Sequence, residues 1–196
     1  MRSSPIILEL PPSIQLSDDQ FLELCEFNGN LRLERNLTTG EIWIRFPAGR
    51  EADNRSLLLS AQLGSWIQKQ GTGTGFGANT GFRIPGATHD PMSPSAAWIG
   101  RDRWNTLTRE QHKKFPPLCP DFVIELRSPS DTVESLKQKM QEWLNLGVQL
   151  GWLIDRIGRN AYIYRADGTE DCLENPHTLS GESLLPGFVL ELDNIW

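Results

Sequence analysis

The stretch that most constrains this 196-residue chain runs from Pro120 to Ser128 and reads Pro-Asp-Phe-Val-Ile-Glu-Leu-Arg-Ser. Successive side chains of a strand point to opposite faces. Phe122, Ile124 and Leu126 therefore bury one side, and Asp121, Val123, Glu125 and Arg127 share the other. Taken alone, the pattern also fits a half-exposed strand with solvated charges. Its neighbours argue for a central place. Prolines pin the entry, a capped helix follows, and the apolar run Trp152-Leu153-Ile154 comes after it. A glutamate on a central strand needs a partner or a metal, so the Glu125 face is expected to border a polar site or solvent.

The rest of the chain supplies the frame. Residues 1–16 read as an extended arm, with Pro11-Pro12 blocking helix. Ser17 and Gln20 make a capping box for a short helix through Phe27. Leu31 and Leu33, then Ile42, Ile44 and Phe46, alternate with polar or aromatic residues around a loop containing Gly40, which predicts a hairpin. Leu59, Leu63, Trp66 and Ile67 give residues 54–70 one apolar helical face, with Asp53 or Asn54 as cap. A glycine-punctuated strand, a short apolar strand at 95–100 and a polar helical excursion from Arg101 to Lys114 follow, the last capped at Thr106 or Thr108. Asp131 and Glu134 make an acidic first turn for a helix whose buried stripe is Val133, Leu136, Met140, Trp143 and Leu144, stopped by Gly147. Strands at 152–154 and 161–164 come next, and the tail returns through Phe188-Val189-Leu190. The order predicts one mixed α/β domain over residues 1–196.

Composition narrows the function classes. A net charge of −6 and a pI near 5.1 argue against a broad basic surface for nucleic acid. No apolar run approaches the roughly 20 residues of a membrane span, and the apolar start is too short for a signal peptide. Three widely spaced cysteines fit neither a disulfide framework nor a zinc pattern, so a cytoplasmic location is expected. The glycines from 71 to 81 lack the Gly-Lys-Ser/Thr ending of a phosphate loop. Arg101, Arg103, Arg109, Lys113 and Lys114 make either a DNA-facing patch or a solvated helix.

The run from Pro117 through Asp131, with Lys139-Met140-Gln141-Glu142-Trp143 and Gly151-Trp152-Leu153-Ile154-Asp155, is very similar to one family of restriction-endonuclease-like proteins. That family is abundant in cyanobacteria and lies within the PD-(D/E)XK nuclease superfamily. Resemblance extends to Ser180-Gly181-Glu182 and Leu185-Pro186-Gly187-Phe188. It implies an α+β mixed sheet with a core of helix, three strands, helix and strand: 54–70, 73–84, 95–100, 121–127, 132–146 and 151–155. It also implies a Mg²⁺-dependent (or Mn²⁺-dependent) DNA endonuclease acting as a homodimer. The physical logic is metal-assisted phosphodiester hydrolysis, with strand carboxylates on the ion and a lysine steadying developing charge.

Carried over by position, Glu125 matches the acidic residue of the third strand. Arg127 stands where the superfamily's lysine falls, and Lys139 looks like its substitute, although Lys137 also borders the buried stripe. Glu51 is a possible further ligand. The family commonly has Ser-Pro-Asp-Ala at the second strand, where this chain has Ser93-Pro94-Ser95-Ala96. Ser95 thus occupies the place of the principal metal-binding aspartate without its charge. Asp90 is out of register. Asp121 shares a face with Glu125 but lies about 13 Å along an extended strand, too far for both to bridge one ion. The alternative implied by Ser95 is a catalytically degenerate nuclease fold that binds nucleic acid or protein.

Overall fold

A computed structural model describes residues 6–45 and 50–196, without the side chains of residue 45 and residues 50–53. The expectations for Phe46, for Glu51 as a ligand and for an Asp53 side-chain cap lie outside the described residues.

The extended arm contains a strand, Ile6–Leu8 (β1), and the capping box at Ser17 starts helix Asp18–Phe27 (α1) with both reciprocal hydrogen bonds present. The hairpin forms as Arg32–Asn36 (β2) and Ile42–Arg45 (β3). Helix Arg50–Gln70 (α2) begins earlier than the periodicity predicts, which places Asn54 inside it rather than at its cap. Gly73–Gly77 (β4) is shorter than the expected 73–84, because the chain turns at residues 78–79 and resumes only as a single bridge from Phe82 to Met92. His89–Asp90 (β5) then pairs with β2, giving a four-stranded sheet in the order β1-β3-β2-β5.

Ala96–Gly100 (β6) runs straight into two short helices, Arg101–Trp104 (α3) and Arg109–Lys113 (α4). Thr108 caps the second through a full capping box with Gln111. Phe122–Leu126 (β7), Val133–Asn145 (α5) and Leu150–Asp155 (β8) make a parallel strand–helix–strand unit. The cap of α5 is Thr132, whose hydroxyl accepts from Ser135 N–H. Asp131, expected in the first turn, instead closes the preceding loop by accepting from Ser128 N–H at 3.0 Å. Asn160–Arg165 (β9), Glu170–Glu174 (β10), Thr178–Ser180 (β11) and Val189–Glu191 (β12) complete the chain.

The main sheet has the order β10-β9-β8-β7-β6-β4, so β7 is central as the sequence predicts. One face packs Phe122, Ile124 and Trp152 against Leu59, Leu63 and Trp66 of α2 and the tail residues Phe188 and Leu190. The other packs Val123 and Leu153 under Leu136, Met140 and Trp143 of α5. Met140 of α5 lies close over Gly151, where an added Cβ would stand 2.2 Å from its Cε. Among the described residues no helix is long and apolar enough to cross a membrane.

Candidate functional site

Alternation on β7 aims Val123 and Glu125 at the face that α5 covers. Glu125 is therefore buried, 4% exposed. The helix supplies the compensation itself. Lys139 and Trp143 stand four residues apart on one side of α5, and both meet the same oxygen, Trp143 as a hydrogen-bond donor and Lys139 as an ion pair. Trp143 Nε1 and Lys139 Nζ each lie 2.8 Å from Glu125 Oε1. Glu125 Oε2 has no hydrogen-bond partner among the described residues.

Lys139 also donates to the Ser93 carbonyl at 2.8 Å, and Arg32 Nη2 reaches that carbonyl from β2 at 2.9 Å. Lys137 instead lies over the Tyr162 ring, 4.1 Å from its centroid, and 3.4 Å from Glu170. Two residues on a helix are about 200° apart, so only one of the two lysines can face β7.

Ser95 stands one step beyond the Ala96–Ile124 pair of the β6–β7 ladder, across from Glu125. Its N–H donates to Ile124 O and its hydroxyl accepts from Leu126 N–H, both at 2.9 Å. Ser95 is thus beside Glu125, and its hydroxyl serves the sheet.

Arg127 and Asp121 are engaged elsewhere. Arg127 Nη1 donates to Asp155 at 2.9 Å and its Nε to Asp131 O at 3.2 Å. Asp155 also accepts from the N–H groups of Ile157 and Gly158, tying the turn between β8 and β9. Burial opposes its charged form, but the Gly158 N–H, the Arg127 guanidinium and the Ile157 N–H outweigh that and hold the Asp155 carboxyl below the usual range. Asp121 sits at the opposite end of β7 from Glu125. Its Oδ1 accepts from Arg103 and, at 2.7 Å, from Gln149, and its Oδ2 from Gly100 N–H at 2.8 Å. Asp90, likewise buried, is bound by Arg35 and Arg83. Burial pushes the Cys119 thiol up to about 12, which leaves no thiolate at neutral pH.

Sequence reasoning placed Trp143 only in the buried stripe. The signal that finds its second role is its i, i+4 relation to Lys139. For a metal ion, the local donors are one open carboxylate oxygen at Glu125 and the Ser95 hydroxyl. Among the described residues no group of three His, Cys, Asp or Glu could hold an ion. Mg²⁺ takes one or two carboxylates and keeps several waters, so this donor set fits a lightly held ion.

An α+β fold with a mixed central sheet, a buried strand glutamate and a helix-borne lysine beside it defines a restriction-endonuclease-like core. A solved structure described as "a putative nuclease belonging to DUF820 from Anabaena variabilis" has the same fold. It aligns with a TM-score of 0.71 at 19% identity, covering 92% of this chain and 97% of that one. The chain belongs to the Uma2 family, described as "Putative restriction endonuclease", whose model matches residues 18–193. No curated protein matches the chain.

Proposed function

We propose that the protein is a Mg²⁺-dependent DNA endonuclease that hydrolyses phosphodiester bonds at Glu125. The observation that supports this reading best is the division of labour within one buried carboxylate. Oε1 is fixed by Trp143 and Lys139, and Oε2 has no partner among the described residues. Asp121, at the other end of the strand, engages both oxygens. Glu125 would hold the ion through Oε2, with Ser95 as a neutral neighbour. When bound, Mg²⁺ polarises the phosphate and lowers the pKa of an attacking water. Lys139 supplies a cation next to the charge that develops, and Trp143 fixes the carboxylate's orientation. Arg127, bound to Asp155, holds the β8–β9 turn in place.

Incubation of the purified protein with supercoiled and linear DNA in Mg²⁺ or Mn²⁺ tests this. Cleavage by the wild type and its loss in Glu125→Ala are expected, and cleavage unchanged in that variant overturns the mechanism. Ser95 motivates the second reading, a degenerate member that binds nucleic acid or protein without cutting. Wild-type cleavage removes that reading. An inert wild type that gains metal affinity and cleavage in Ser95→Asp establishes it, with one lost ligand as the cause.

A further inference from the structure

We propose that Arg32, on the N-terminal hairpin, contacts substrate as the second cation of a phosphate seat shared with Lys139. The inference rests on the nuclease reading above and adds a residue from outside the core that the family resemblance assigned. Arg32 Nη2 and Lys139 Nζ converge on a single acceptor, the Ser93 carbonyl, at 2.9 and 2.8 Å. The two cationic groups are therefore neighbours around one oxygen, just ahead of Ser95.

Both keep donors to spare. An ammonium has three N–H bonds, and Lys139 uses one on Ser93 while pairing with Glu125 by charge. A guanidinium has five in a planar fork. The Nε of Arg32 lies 3.5 Å from Glu34 without a hydrogen bond, and its Nη1 has no partner among the described residues. The Arg32 side chain is 34% exposed and that of Lys139 28%, so both reach solvent.

Charge counting gives Arg32 its weight. Lys139 is matched by Glu125, and Arg32 lies 3.5 Å from Glu34. A divalent ion on Glu125 would add positive charge beside both cations. A phosphodiester anion is the ligand that fits two adjacent N–H donors of that sign. Its source is nucleic acid, because the seat lies beside the carboxylate proposed to cut it.

The test is binding of a fluorescent duplex oligonucleotide from 50 to 200 mM KCl, in Ca²⁺, which takes the same hard oxygen ligands. The variants are Arg32→Gln, whose amide keeps a donor for the Ser93 carbonyl, and Arg32→Lys, which keeps the charge. Arg32→Gln is expected to bind more weakly on every sequence and to lower the salt slope by about 1, as loss of one phosphate contact does. Arg32→Lys should retain the wild-type slope. An unchanged slope in Arg32→Gln, with wild-type binding and Glu125-dependent cleavage intact, overturns this inference and leaves the nuclease reading standing. If both variants weaken binding with unchanged slopes, Arg32 serves only to position Ser93. A wild type that neither binds nor cuts nucleic acid overturns both proposals.

Discussion

The two ends of β7 carry buried carboxylates in contrasting states. At the entry, Asp121 is 2% exposed and gives both oxygens to the protein, accepting from Arg103, Gln149 and Gly100 N–H. At the exit, Glu125 is 4% exposed and gives only Oε1, to Lys139 and Trp143. Burial and charge do not distinguish the two residues; satisfaction does. A carboxylate with both oxygens committed joins elements of the fold. One with an oxygen in reserve can take a ligand without the fold losing a bond.

That contrast is breakable by exchange of effects. Glu125→Gln should cost the nuclease about a thousandfold in turnover, the scale of several kcal/mol of metal-borne stabilisation. Plasmid-cleavage rates, normalised to folded protein, measure this. Asp121→Asn should do the reverse. Replacing a buried, fully bonded carboxylate leaves donors mismatched and costs about 1–3 kcal/mol, read as a lower melting temperature, with cleavage per folded molecule retained. Were Asp121→Asn to abolish cleavage in a fully folded protein, the division between the two ends would fail.

A finer cut concerns what holds Oε1. Trp143→Phe keeps an aromatic ring in the core but removes the N–H. Loss of such an orienting partner typically lowers metal affinity or activity by about 10- to 100-fold. Metal titration and cleavage rates should both register it. An unaltered metal affinity would mean that Lys139 alone sets the carboxylate.

The smallest effect involves Asp155, another buried carboxylate, which accepts three hydrogen bonds on Oδ1, from Arg127 and from the N–H groups of Ile157 and Gly158. Its lowered pKa fixes the sign of its contribution. The charged form is favoured in the folded state, so the stabilisation is complete above the ordinary Asp range, about 3.9, and is lost as pH falls through the lowered value. Denaturation midpoints of wild type and Asp155→Asn should therefore differ at neutral pH and converge in strong acid.

The β7–α5–β8 unit is the part most legible from sequence, because each of its signals is local: alternation at 122–126, an apolar stripe on α5 and Gly147 after it. β10 leaves no alternating pattern in the sequence, since Glu170–Glu174 is exposed along its whole length where it pairs with β9. The charged face of β7 shows the limit most clearly. Sequence assigns Asp121, Val123, Glu125 and Arg127 to one side, but not the helix lying over it, nor that each charge finds a different remote partner. Arg103, Lys139 and Asp155 come from three separate elements, and pairing across such distances leaves no periodic trace. The choice between Lys137 and Lys139 likewise depends on how α5 is rotated against the sheet.

The hydrogen bond from Leu126 N–H to Ser95 Oγ also bears on how this position can vary. Two separate demands meet there, one from the backbone for a short acceptor and one from hydrolysis for a negative charge. Serine meets the first and drops the second, so a lineage can surrender the charge without unravelling the β6–β7 ladder. Alanine would satisfy neither. Persistence of a polar residue at this position among descendants would by itself say nothing about selection for cutting.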